Sequence, residues 1–280
     1  MKIGTLTIVG VGLIGGSIGL AAKRRGLAGC VRGVGWRQQT LDHALAGRAI
    51  DEGCLDLTSA AAGSDLIVFC TPVDGIVGQV LASAPFCAPD TLLTDAGSTK
   101  AAIVRGLEGR LPDDVVFVGS HPLAGSEKRG PQHADADLFQ GRLTVVTPTA
   151  STRPHAVERA SAFWQALGSQ VRVMEPEEHD QALAVTSHLP HLVAAALAHV
   201  LPPELYELTA TGFRDTTRVA AGDPSLWTGI FRQNGPAVLD ALDRFSGRLD
   251  RFRRALEAND AAALDALLDQ AKNVRDALGR

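Results

Sequence analysis

The segment Val9-Gly10-Val11-Gly12-Leu13-Ile14-Gly15 constrains this chain more than any other. It is a GxGxxG turn, entered by the apolar run Thr5–Gly10 and left by a helical stretch that ends near Gly26, a natural residue just past a helix C-terminus. The spacing has physical reasons. Gly10 permits the tight turn, Gly12 lets backbone approach a pyrophosphate, and Gly15 lets the helix lie close on the strand. The pyrophosphate then rests on the helix N-terminus, where unpaired N–H groups and the macrodipole favour an anion. Gly10, Gly12, Leu13, Ile14 and Gly15 are the dinucleotide-binding candidates of this turn.

The rest of the first half has the same rhythm. Short apolar runs at 30–35, 65–72, 91–97, 115–119, 143–148 and 170–176 alternate with helical stretches. Most are continuous hydrophobics, as expected of strands covered on both faces of a parallel sheet. The expected fold is α/β, a Rossmann-type doubly wound sheet. After Pro176 strand signals stop, and the remainder reads as helix. The expected division is a dinucleotide-binding domain over 1–175 and an all-α domain over 176–280. Asp260, ahead of AAALDALL, is the expected N-cap of the last helix.

With 27 Lys+Arg against 31 Asp+Glu and a net charge of −4, no basic field points to nucleic acid. The 45% hydrophobic content excludes wholesale disorder. Cys30, Cys54, Cys70 and Cys87 contain no CxxC pair and read as reduced packing residues. No apolar run is expected to reach bilayer length and no signal peptide opens the chain, so a cytoplasmic protein without membrane contact is expected.

An NAD-binding fold usually ends its second strand on Asp or Glu, which holds the ribose 2′-hydroxyl. Here the strand ends Gly35-Trp36-Arg37-Gln38, and the first acid of the chain is Asp42. Six Lys or Arg precede it. Arg37 suits a 2′-phosphate as a bidentate donor, and Trp36 or Arg37 could stack on adenine. NADP is the expected cofactor, with NAD the alternative.

In doubly wound sheets ligands gather at the C-terminal strand ends. Those ends here carry Thr71-Pro72, then Asp95–Lys100 with Ser98, then Gly119–Lys128 with His121 and Ser126. His121 is the candidate general base, because an imidazole accepts a proton near neutral pH. In the helical half, His188 and His191 are three residues apart across Pro190. With no Cys or Glu partner in register, they are not expected to hold a metal, even with His179 and Asp180 nearby. Arg214 and Arg218 lie one turn apart, Asp215 can pair with Arg218, and guanidinium groups there suit a carboxylate.

The stretches GVGLIGGSIG, TDAGSTK, GSHPLAGSEKRG, ADLFQGR, EEHDQALAVTSHLPHLVA and GFRDTTRVAAGDPSLWTGIF occur in order over nearly the whole chain. Through them the sequence resembles the prephenate/arogenate dehydrogenases of tyrosine biosynthesis. The resemblance implies a nucleotide domain followed by a helical dimerisation domain, hence a homodimer. It implies prephenate or arogenate as substrate. Hydride leaves the carbinol carbon for the nicotinamide as the ring carboxylate departs as CO₂. It further implies that His121 takes the 4-hydroxyl proton, Ser98 helps hold that hydroxyl beside the nicotinamide, and Arg218 binds a substrate carboxylate. Ser126, His188, His191, Asp215 and Arg214 would line the pocket, with Trp227 nearby. Because the chain ends at Arg280, a monofunctional enzyme is expected. Lysine-dependent two-domain dehydrogenases are disfavoured, since no Lys lies between Glu177 and Leu268. A non-enzymatic NADP-binding protein would keep the glycine turn but give His121 and Arg218 no reason to converge.

Overall fold

The computed structural model describes residues 2–125, 128 and 130–279. Its centre is an eight-stranded sheet in the order β3-β2-β1-β4-β5-β6-β7-β8. The elements of the first half are β1 (Ile3–Val9), α1 (Leu13–Arg24), β2 (Ala28–Val34), α2 (Gln38–Ala46), β3 (Glu52–Cys54), α3 (Leu57–Ala61), β4 (Leu66–Phe69), α4 (Val73–Ser83), β5 (Leu92–Asp95), α5 (Ala101–Leu107), β6 (Val116–Pro122), β7 (Leu143–Thr147), α6 (Pro154–Ala166) and β8 (Gln170–Val173). The chain reverses its winding between β1 and β4, which leaves a crevice at their C-terminal ends.

The strand sequences explain the two layers. Leu66-Ile67-Val68-Phe69 is completely buried. Alternate side chains point to opposite faces of a strand. Leu66 and Val68 accordingly join Leu6, Ile8, Ile18 and Trp164 in one core, while Ile67 and Phe69 join Val9, Ile76 and Ile103 in the other. A run without polar alternation is what a sheet covered on both faces needs.

Three sheet details differ from the sequence reading. β3 has no apolar run to announce it, being a three-residue strand at the sheet edge. β6 extends through Pro122, so His121 lies on the strand rather than beyond it. β7 runs antiparallel to β6, with Gly119 opposite Thr147 and His121 opposite Val145. Among the described residues between these two strands there is no helical crossover, only loop and a 3-10 turn at Pro131–His133, and a parallel pair needs a crossover.

Helices then follow: α7 (Pro176–Leu183), α8 (Leu189–Val200), α9 (Thr211–Thr217), α10 (Pro224–Gln233), α11 (Gly235–Glu257) and α12 (Ala261–Ala277). α7 and α8 are joined by a π-helical turn over Ala184–His188, and Pro190 sits in the first turn of α8. Pro190 has no N–H to donate, and it falls just where the winding changes. The continuous helix Pro176–Val200 is 25 residues and, by length and composition alone, long and apolar enough to cross a membrane. This corrects the expectation that no run reaches that length. The helix carries Asp180, His188 and His191 buried within the protein, which ties it to the sheet.

By packing, Met1–Gly235 and Pro236–Arg280 form two compact units. The second holds nearly all of α11 and the whole of α12. Asp260 caps α12, its carboxylate accepting the Ala263 N–H at 2.9 Å, as its position before AAALDALL led us to expect. Leu239, Leu249, Leu256, Leu268 and Val274 of these helices are exposed, as is Leu278, the C-cap of α12.

Candidate active site

The glycine turn is built as its spacing requires. Gly10 has φ +92°, and a Cβ there would meet Thr71 Cγ2 at 2.9 Å and the Cys70 carbonyl oxygen at 3.0 Å. A Cβ on Gly15 would come within 2.2 Å of the Gly10 carbonyl oxygen, so only glycine lets α1 start this close to β1. A Cβ on Gly12 would meet nothing within 4 Å. Gly12 is the N-cap of α1, no side chain caps the helix and its first turn holds no acid. Open space over uncapped N–H groups fits a pyrophosphate. Leu13 and Ile14, half-buried, form the first turn, and Gly125 approaches Ile14 from the loop after β6.

At the end of β2, Trp36, Arg37 and Gln38 are exposed, and Arg37 is the N-cap of α2. The Gln38 amide donates to Asp42 at 2.8 Å. Thr71 donates to Gln79 Oε1 at 2.6 Å, and Pro72 caps α4.

Sheet register aligns the other strand ends. Val9 faces Phe69, Phe69 faces Asp95, and Thr94 faces Val118. Thr71 and Ser98, on the segments that follow β4 and β5, and His121, near the end of β6, therefore lie along one edge. Asp95 ties them together. Its carboxylate accepts the Gly97 and Ser120 N–H groups, both at 2.9 Å, and pairs with the Lys100 ammonium. Lys100 also donates to the Ser120 carbonyl at 2.9 Å. Half-buried Ser98 lies on the loop that these bonds and a Thr99–Gln233 bond of 2.7 Å hold in place.

The helical half supplies a row of imidazoles. His121 Nδ1 lies 2.9 Å from His179 Nε2, and His179 Nδ1 lies 2.8 Å from Asp180 Oδ1. Asp180 in turn accepts the backbone N–H groups of Lys100 at 2.8 Å and Ala101 at 2.9 Å. Asn234 donates to the Asp180 carbonyl at 2.7 Å and lies 3.0 Å from His188 Nδ1. His191 stacks on Trp227, with centroids 3.5 Å apart and planes 12° apart. His188 Nε2 and His191 Nδ1 are buried and have no hydrogen-bond partner among the described residues. Such orphaned groups are costly unless a ligand or water meets them.

Burial sets the electrostatics. Desolvation, and then the charges of His179, Lys100 and His188, hold the His121 imidazolium well below its ordinary range. Desolvation also lowers His179 and His191, and takes His188 down to about 4. These rings are neutral at pH 7, and a neutral imidazole is what a proton acceptor requires.

The arginines are placed differently. Arg214 and Asp215 are on α9, and Arg218 begins a 3-10 turn, Arg218–Ala221, that packs on α8. All three are exposed. Arg214 reaches the Thr209 carbonyl at 3.3 Å. Asp215 makes no ion pair with Arg218, contrary to the sequence expectation, because the helix gives way to the 3-10 turn between them. Ser126 lies outside the described residues. Two surface crevices, of about 340 Å³ beside Arg159 and about 290 Å³ beside Arg153, are lined by none of His121, His179, His188 and His191.

The sequence reading weighed His179 and Asp180 only as metal ligands, and it passed over Asn234 as a functional group. The one local signal was the adjacent His-Asp pair. Its partner His121 is 58 residues away, a distance closed only by the sheet.

Residues 18–173 match the nucleotide-binding domain of prephenate dehydrogenase, and residues 175–270 match its dimerization domain. The cyclohexadienyl dehydrogenase of Zymomonas mobilis is 34% identical over 279 residues, spanning 97% of this chain and 94% of that protein. The prephenate dehydrogenase of Bacillus subtilis is 34% identical over 282 residues, spanning 98% of this chain and 76% of that protein. The crystal structure of prephenate dehydrogenase from Aquifex aeolicus in complex with hydroxyphenyl propionate and NAD+ has a TM-score of 0.92 and 31% identity over 99% of each chain.

Proposed function

This chain belongs to the prephenate dehydrogenase family, and from that we propose that it oxidises and decarboxylates prephenate to 4-hydroxyphenylpyruvate with NADP as hydride acceptor. The observation that carries the reading is the half-buried, neutral His121, near the end of β6 and on the same side of the sheet as the glycine turn.

The dinucleotide, held on Gly10, Gly12, Leu13, Ile14 and Gly15 with Thr71 and Pro72 beside it, supplies the hydride acceptor. His121 accepts the 4-hydroxyl proton, which raises electron density at the carbon that loses hydride. Ser98 holds the same hydroxyl. The ring C–CO₂ bond breaks, its electron pair completes the aromatic ring, and CO₂ leaves. Arg218 pairs with a substrate carboxylate, with Arg214 and Asp215 on the preceding turn. The orphaned nitrogens of His188 and His191 take polar groups of the substrate. NADP rather than NAD is supported by the missing carboxylate after β2 and by exposed Trp36, Arg37 and Gln38.

We assign 1–175 to the nucleotide and 176–280 to the substrate and dimer contacts, supported by the two matched family domains. The exposed leucines of α11 and α12 are the surface a second copy would cover in a homodimer. Four free cysteines agree with a cytoplasmic enzyme.

The test is an assay of both prephenate and arogenate against both NAD and NADP, repeated with His121→Asn. Prephenate with NADP should be the most active pairing. The variant should bind cofactor normally and lose about 10²–10⁴-fold in kcat. Undiminished turnover by the variant would remove His121 from the mechanism.

A further inference from the structure

Asp180 fixes the direction of the hydrogen bonds that end on His121. Both of its carboxylate oxygens already accept backbone N–H groups, which can only donate. The His179 Nδ1 beside it, at 2.8 Å, is therefore the donor of that bond. A neutral imidazole with its proton on Nδ1 has a lone pair on Nε2. His179 Nε2 thus accepts from His121 Nδ1, 2.9 Å away. The His121 proton is then on Nδ1, and its Nε2 is bare. The two rings meet edge to face, at 67° between planes and 5.1 Å between centroids.

We propose that His179 and Asp180 are positioning residues that hold His121 in the Nδ1–H tautomer and take up the charge it gains. The proposal rests on the reading of His121 as the base. The substrate O–H bond breaks as an Nε2–H bond forms on His121. The Nδ1–H bond of His121 breaks as an Nε2–H bond forms on His179. The positive charge comes to rest beside the Asp180 carboxylate, and no electrons leave the pair of rings. The other charged and titratable groups facing the pair are Lys100, His188 and Asp95. Lys100 disfavours a cation on either ring and His188 one on His121, while Asp180 and Asp95 favour one on His179. The Asp180 carboxylate, 2.8 Å from His179 Nδ1, thus draws the charge one ring along. Without this outlet a base whose cation is disfavoured by desolvation would resist protonation.

The test combines a spectrum with kinetics. Nitrogen-15 spectra of histidine-labelled wild-type enzyme at pH 8, with His121 assigned by its loss in His121→Asn, should show Nδ1 protonated and Nε2 bare. His179→Gln keeps an acceptor oxygen but cannot carry the proton. It should lower kcat about 10- to 100-fold with unchanged KM for prephenate and unchanged cofactor affinity. Asp180→Asn removes the charge that favours protonation of the pair. The acid limb of its kcat/KM profile should move to lower pH. A His121 spectrum with the proton on Nε2 would overturn the proposal. So would wild-type kcat together with an unshifted acid limb in both variants. Where Asp180→Asn loosens α5, the wild-type spectrum and His179→Gln decide alone. Full activity of His121→Asn would remove the base itself, a failure distinct from the relay's.

Discussion

The Lys100 ammonium and the Asp95 carboxylate form an ion pair in which neither side chain is exposed. Asp95 is the last residue of β5, and through the Ser120 backbone its charge is bonded to the strand that carries His121. Lys100 closes the loop that holds Ser98. The lysine is thus structural, in contrast to enzymes that use one on substrate.

Removing one member leaves the other charge buried and unpaired. Lys100→Met should cost about 3–5 kcal/mol of folding stability in urea denaturation. Adding Asp95→Asn to Lys100→Met should restore part of that loss, because no uncompensated charge remains. A single variant as stable as wild type would show that water reaches this pair.

Acid should weaken the fold. His188 has a folded value of about 4 against an unfolded value near 6.5, so the unfolded chain binds more protons between them. Stability is therefore full above about pH 6.5 and falls as pH drops towards 4, by up to about 3 kcal/mol for His188 alone. His121, His179 and His191 are shifted in the same direction and add to the slope. Urea midpoints across pH 4 to 8 would check this, and a flat profile would mean the rings are solvated.

Gly12 and Gly15 should separate binding from folding. A Cβ on Gly12 meets no protein atom within 4 Å, so Gly12→Ala should melt like wild type yet raise the dinucleotide KM. A Cβ on Gly15 collides with backbone at 2.2 Å, so Gly15→Ala should cost about 1–3 kcal/mol as well as affinity. Thermal melts and cofactor titration of the two variants read both effects.

Arg37 should discriminate the two dinucleotides. Losing a charge-assisted bond to a 2′-phosphate is worth about 1.5–3 kcal/mol, so Arg37→Ala should raise the KM for NADP roughly 10- to 100-fold. The KM for NAD should stay within about twofold, since NAD has no such phosphate. Equal changes for both would place Arg37 elsewhere on the cofactor.

Much of this was legible before folding. Gly10, Gly12 and Gly15 act at a spacing of a few residues, where a turn and the first helical coil are determined by local sterics. Asp260 likewise caps a helix three residues away. The apolar runs announced a sheet buried on both faces because that pattern is a property of each strand alone.

Tertiary structure decided the rest. The antiparallel β7, the π-helical turn before Pro190 and the missing Asp215–Arg218 pair depend on how neighbouring elements are accommodated. The alignment of His121, His179 and Asp180 depends on more. It joins a strand to a helix 58 residues on, and then joins that helix back to the Lys100 and Ala101 backbone about 80 residues earlier. A sequence states which side chains are ionisable. Which nitrogen of a ring carries its proton is set by the neighbour it faces, and only the folded chain supplies that neighbour.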